Sequence, residues 1–123
     1  MRCFPRPWSG AASRSLTCSW MHITLGQTGL LPLFEHAMFS STMVGRGKPF
    51  PDLFLYAAKT MGFAPADCIV IEDSVAGTQA GIAAGMRVFS YYADLLTDRD
   101  GLAAAGGILF DDMRDLAKLV PIR

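Results

Sequence analysis

The apolar run Cys68-Ile69-Val70-Ile71 breaks off at Glu72-Asp73-Ser74, and an Ala/Gly-rich stretch follows. Such a run reads as a strand buried on both faces that feeds a helix. Upstream, Pro51 fits the first turn of a helix whose Leu53, Phe54, Ala57, Ala58 and Met61 share one face and which Gly62 stops. Pro65 and Asp67 make the turn into the strand. Downstream, Ser74 fits the N-cap of a helix with Val75, Ala76, Ala80, Ala83 and Ala84 as its inner face and Gly85 as its end. Residues 86–90 form a second short apolar strand, residues 107–110 a third, and Asp111 or Asp112 caps a last helix through Leu119. The pattern is weaker before this. Residues 1 to about 15 have no usable periodicity. Residues 16–28 fit a helix closed by Gly29, residues 30–36 a turn-rich connection, and residues 37–40 a short strand before a polar loop through Gly45 and Gly47. Strands alternating with helices over short loops predict an α/β fold with a parallel sheet of about four strands and right-handed crossovers.

Composition changes this picture at one end. The chain has 123 residues, enough for one domain, and its 11 basic and 11 acidic residues cancel, which leaves no electrostatic footprint for nucleic acid. Yet Arg2, Arg6 and Arg14 all precede the first acid, Glu35, and Trp8, Trp20, Cys3 and Cys18 crowd the same start. Residues 1–20 therefore read as an atypical leader, disordered or out of frame, and residues 21–123 as the folded part. An acid-free start with Arg and Ser has a transit-peptide composition, but Pro5 and Pro7 spoil an amphipathic helix there. The three widely spaced cysteines give neither a disulfide framework nor a metal pattern, and Cys68 reads as a small buried hydrophobe in a reducing cytoplasm. No apolar run reaches the length of about 18 residues that a membrane-spanning helix needs.

In parallel α/β sheets ligands gather outside the carboxyl ends of the strands, which is where the pattern puts Glu72 and Asp73. Lys48 lies upstream in Gly47-Lys48-Pro49-Phe50-Pro51-Asp52. Two carboxylates and a lysine at one edge suit a hard cation and a phosphoryl group. Duller roles exist for each: a solvated loop lysine, and two acids favoured by the dipole at a helix start. Asp52 reads as such a first-turn acid and not as a catalytic group.

Lys48-Pro49-Phe50-Pro51-Asp52 and Ile71-Glu72-Asp73-Ser74-Val75-Ala76-Gly77 resemble the third and fourth motifs of the haloacid dehalogenase superfamily, in its β-phosphoglucomutase-like and 6-phosphogluconate phosphatase-like branch. Ala57-Ala58-Lys59, the run from Gly77 to Met86 and Tyr92-Ala93-Asp94 extend the resemblance. It implies a Rossmann-like three-layer core around a parallel sheet, and Mg²⁺-dependent hydrolysis of a sugar phosphate such as 6-phosphogluconate. By position, Lys48 matches the lysine that neutralises phosphoryl oxygens. Glu72 and Asp73 match the acidic pair that holds Mg²⁺, and Ser74 would support them while capping its helix.

The resemblance also implies an aspartate nucleophile at the end of a first strand, a second aspartate two residues later, and a cap domain between these and the lysine. No aspartate precedes Asp52. The chain thus reads as a truncated core without nucleophile strand or cap, a fragment inactive alone. Asp98-Arg99-Asp100-Gly101-Leu102 has the spelling of the nucleophile motif, but Asp94-Leu95-Leu96-Thr97 before it is no β-branched strand, and a polar surface turn explains it better. The phosphate-binding serine of the second motif would fall nearest Ser15, but Ala11-Ala12-Ser13-Arg14 is a poor strand and no site is assigned there. Two alternatives stay open: a non-catalytic binding or complementation module, and a β-phosphoglucomutase-type phosphotransferase. The expected partner is a small phosphorylated metabolite, not nucleic acid or membrane, with self-association through an exposed sheet edge.

Overall fold

The computed structural model describes the backbone of residues 2–3, 9–10, 12–14 and 18–120, and the side chains of residues 21–120. Three short strands open the chain: β1 (Arg2–Cys3), β2 (Ser9–Gly10) and β3 (Ala12–Arg14). Helices α1 (Cys18–Gln27) and α2 (Leu31–Phe34) lead to β4 (Met38–Ser40). Then α3 (Asp52–Met61), β5 (Cys68–Glu72), α4 (Val75–Ala83) and β6 (Arg87–Tyr91) alternate. The chain closes with α5 (Arg99–Ala104), β7 (Ile108–Phe110) and α6 (Leu116–Leu119). The glycines expected to end helices, Gly29, Gly62 and Gly85, have φ of 72, 78 and 75°.

Strands β5, β6 and β7 are parallel neighbours, with Val70 opposite Val88 and Ser90 opposite Leu109. Side chains alternate across them. Cys68, Val70 and Val88 pack with Phe54, Ala58, Ala80, Ala84 and Met86, on the side of α3 and α4. Ile69 and Phe89 pack on the other side with Phe110, Val120 and the partly buried Leu116 of α6. Helices therefore cover both faces of β5, which is why its sequence is continuously apolar. A smaller cluster of Phe39, Leu53 and Ala57 ties β4 to α3.

Five expectations need correction. The strand at 37–40 does not join β5–β7; it pairs in parallel with β3, Ser13 opposite Phe39. Residues 12–14, too small and polar to read as a strand, are extended because β4 supplies their ladder, and pairing outweighs weak propensity. The inner face of α4 is Gly77, Thr78, Ala80 and Gly81, with Ala83 exposed. The segment after Asp98 is a short helix anchored by buried Leu102, not a bare turn. Cys68 is buried as expected, yet it is disulfide-bonded. The antiparallel register of β1 sets Cys3 opposite it, a proximity that spacing along the chain does not reveal. Of the leader expected over residues 1–20, residues 2–3, 9–10, 12–14 and 18–20 have a described backbone, in β1–β3 and the start of α1, and the rest, Ser15 included, lies outside the described residues. Among the described residues, no helix is long and apolar enough to cross a membrane.

Candidate active site

β5 ends at Glu72 and α4 begins at Val75, so Glu72, Asp73 and Ser74 form a strand-to-helix turn at the carboxyl edge of the sheet. Ser74 is extended (φ −114°, ψ 147°) and its Oγ accepts the Gly77 N–H at 3.0 Å, the N-cap arrangement that the sequence predicts. The same hydroxyl donates to Glu72 Oε2 at 2.8 Å, and the Ser74 N–H approaches that oxygen at 3.3 Å.

Lys48 arrives from the loop between β4 and α3. Arg46 braces that loop: its Nε and one Nη donate to the two carboxylate oxygens of Asp52 at 3.2 and 3.0 Å, and its guanidinium lies 4.4 Å from the Phe50 ring centroid. Asp52, expected as a plain first-turn acid, is thus half of a bidentate clamp. Lys48 Nζ sits 5.1 Å from the Phe54 ring centroid and pairs with Glu72 Oε1. The two side chains are only 10% and 9% exposed, so the pair is nearly dry.

Electrostatics follow from that burial. Desolvation pushes the Glu72 pKa up, but the Lys48 charge, its hydrogen bond and two from Ser74 outweigh it. The carboxyl is held below its ordinary value of 4.5. Glu72 is therefore ionised at neutral pH, with both oxygens engaged.

Asp73 is placed differently. Its residue is exposed, and none of the hydrogen bonds or ion pairs among the described residues involves it. The structure therefore brings Lys48 and Glu72 together and leaves Asp73 beside them in solvent. Among the described residues no group of three or more His, Cys, Asp or Glu could hold a metal. Mg²⁺ does not require one: it keeps several waters and takes one or two protein carboxylates with phosphate oxygens. An uncommitted Asp73 next to an ionised Glu72 meets that minimal donor set, without forming a closed cage.

The decoy acid Asp98 accepts the Gly101 N–H at 2.9 Å and so caps α5. Three contributors escaped sequence reasoning: Arg46, Phe54 and Gly77. Phe54 reads as core, and nothing in its spacing announces the lysine above it. Gly77 does carry a signal, because a glycine inside a helix costs about 1 kcal/mol relative to alanine and so marks a close approach.

With this geometry in view, the likeness to known proteins is informative. The model of the haloacid dehalogenase-like hydrolases matches residues 10–85, a span that includes Lys48, Glu72 and Asp73. The 6-phosphogluconate phosphatase of Escherichia coli (strain K12) is 43% identical over 74 residues, 60% of this chain and 34% of that protein. The β-phosphoglucomutase of Bacillus subtilis (strain 168) is 49% identical over 51 residues, 42% of this chain and 23% of that one. A crystal structure of a hydrolase of this family from Deinococcus radiodurans, with bound phosphate and sodium, is similar at a TM-score of 0.80 and 30% identity, over 89% of this chain and 50% of that one. The chain thus spans between 23% and 34% of these two curated relatives. The family match extends over more than half of its length and the α/β core agrees: the chain belongs to the haloacid dehalogenase-like hydrolases.

Proposed function

We propose that this chain carries the lysine and the acidic doublet of a Mg²⁺-dependent phosphatase that acts on a sugar phosphate such as 6-phosphogluconate. The buried Lys48–Glu72 pair at the carboxyl end of β5 is the observation that carries the reading. A lysine held in a nearly dry place beside a carboxylate is poised to balance phosphoryl oxygens. Asp73, with Glu72 beside it, would hold the cation, which when bound supplies charge neutralisation for the phosphoryl group. Ser74 and the first turn of α4 fix the Glu72 carboxylate, and Phe54 shields the lysine from water. The 6-phosphogluconate phosphatase likeness favours a sugar phosphate as substrate.

No residue before Asp52 is an aspartate, so this sequence lacks the nucleophile that the family resemblance implies. We therefore expect binding without turnover from the chain alone. Purified protein should give no sustained hydrolysis of 6-phosphogluconate or of generic phosphate esters, while Mg²⁺ with inorganic phosphate raises its Tm and Lys48→Ala removes the phosphate part of that rise. Sustained turnover abolished by Lys48→Ala would show a nucleophile within this chain. Absence of any Mg²⁺- or phosphate-dependent shift would remove the phosphate reading altogether.

One observation favours a second reading, a complementation module. β1 is paired with Cys68 and Ile69 of β5, whereas among the described residues Val70, Ile71 and Glu72 are laddered on the β6 side alone. A strand from another chain could add to that edge beside Glu72.

A further inference from the structure

We propose that Gly77 is the positioning residue of the Glu72 carboxylate, acting through the side chain it lacks and the amide it donates. Gly77 is the third residue of α4 and is buried. It is not among the residues with positive φ, so its backbone does not require glycine. Its environment does. A Cβ built on Gly77 would overlap the carboxyl carbon and both oxygens of Glu72, and these are its three nearest neighbours. The carboxylate therefore lies flat against the first turn of α4 in the space that a methyl group would take.

The second observation is independent of the first. The Gly77 N–H donates to Ser74 Oγ at 3.0 Å, which leaves the serine proton to point elsewhere, and Oγ is 2.8 Å from Glu72 Oε2. The amide thereby sets the direction in which Ser74 donates. Glu72 is fixed on three sides: by Lys48 at Oε1, by Ser74 at Oε2 and by the bare backbone of Gly77 beneath. Any side chain at position 77 would drive the carboxylate off at least one of its partners. The consequence for metal binding rests on the magnesium reading above; the steric relation does not.

A double-mutant cycle separates the two. Gly77→Ala should lower the Tm of the full chain, although alanine is the better helix former. In a Glu72→Ala background, with the carboxylate gone, the same substitution should lose most of that effect. If Gly77→Ala alone does not fold, recovery of a cooperative transition in the double variant supports the proposal. Failure of the double variant to fold where Glu72→Ala alone folds, or an equal Tm loss in both backgrounds, overturns it. In parallel, isothermal titration with Mg²⁺ should show Gly77→Ala weakening affinity roughly tenfold, as loss of a supporting contact to a ligand does. Unchanged affinity alongside an altered Tm would reduce Gly77 to a packing residue and overturn its positioning role. If the parent chain binds no Mg²⁺, the magnesium reading falls and the Tm cycle still decides the role of Gly77.

Discussion

Lys48 and Glu72 offset for each other a cost that neither could carry alone. Each loses most of its hydration, and removing one partner of such a buried pair leaves the other uncompensated, at a cost of about 3–5 kcal/mol. We expect Lys48→Met to destabilise by that order at neutral pH. The sign of its pH dependence follows from Glu72. In the parent chain the folded-state pKa is depressed, so the stabilisation is present above the ordinary value of 4.5 and is lost as pH falls below it. In Lys48→Met only the Ser74 hydrogen bonds still oppose burial, so the Glu72 carboxyl protonates at a higher pH than in the parent chain and the variant recovers as it does. Denaturation curves at descending pH should show the gap between the two proteins closing; a constant gap would mean that the pair is not the cause. Both residue types were legible in the sequence, as a lysine between glycine and proline and an acid at a strand end. That Asp73 stands apart from them was not, because two adjacent residues at a strand end point in different directions and the sequence does not say which one turns inward.

At the scale of elements, α4 shows where periodicity succeeds and where it misleads. Ser74 was readable as the N-cap, since a short hydroxyl side chain after a strand and before a helical stretch has one obvious use. The inner face was not, because hydropathy favours alanine and valine whereas close packing favours the smallest residue. A Cβ on Gly81 would come within 2.5 Å of Val88 Cγ2 and 3.3 Å of Val70 Cγ2. Thr78 lies inward because Ser90 on β6 meets its hydroxyl at 2.9 Å, satisfying two fully buried polar groups at once. Gly81→Ala should gain up to about 1 kcal/mol of helix propensity and lose about 1–3 kcal/mol to overpacking. The expected net is a lower denaturation midpoint, checked by urea unfolding; a rise would mean that α4 can move off the sheet at little cost. Gly77 and Gly81, one turn apart, serve different neighbours: one clears room for a carboxylate and the other for a valine.

At the scale of the whole molecule, the sheet combines a buried parallel centre with an edge covered over two residues of β5 by β1. Among the described residues Val70, Ile71 and Glu72 have no ladder partner on the β1 side, and a strand edge of that kind favours association with another chain. Size-exclusion chromatography over a range of concentrations should therefore show a species larger than the monomer, growing with concentration. A monodisperse monomer throughout would remove the complementation reading and leave the phosphate reading intact. The separate β3–β4 pair belongs to this scale too. Its strands are three residues each, and they are held by α3 through Phe39, Leu53 and Ala57 rather than by their own propensity.

The sequence by itself determined the α/β alternation, the helix stops at glycine and the N-cap at Ser74. Each of these is local: it depends on residue type within one strand, one turn or one loop. The tertiary structure alone decided that β4 pairs with β3, that α4 turns its glycines inward, that Arg46 clamps Asp52, and that Glu72 rather than Asp73 meets the lysine. Those outcomes depend on which atoms come within a few ångströms of each other across the fold, a distance that the order of residues along the chain does not encode.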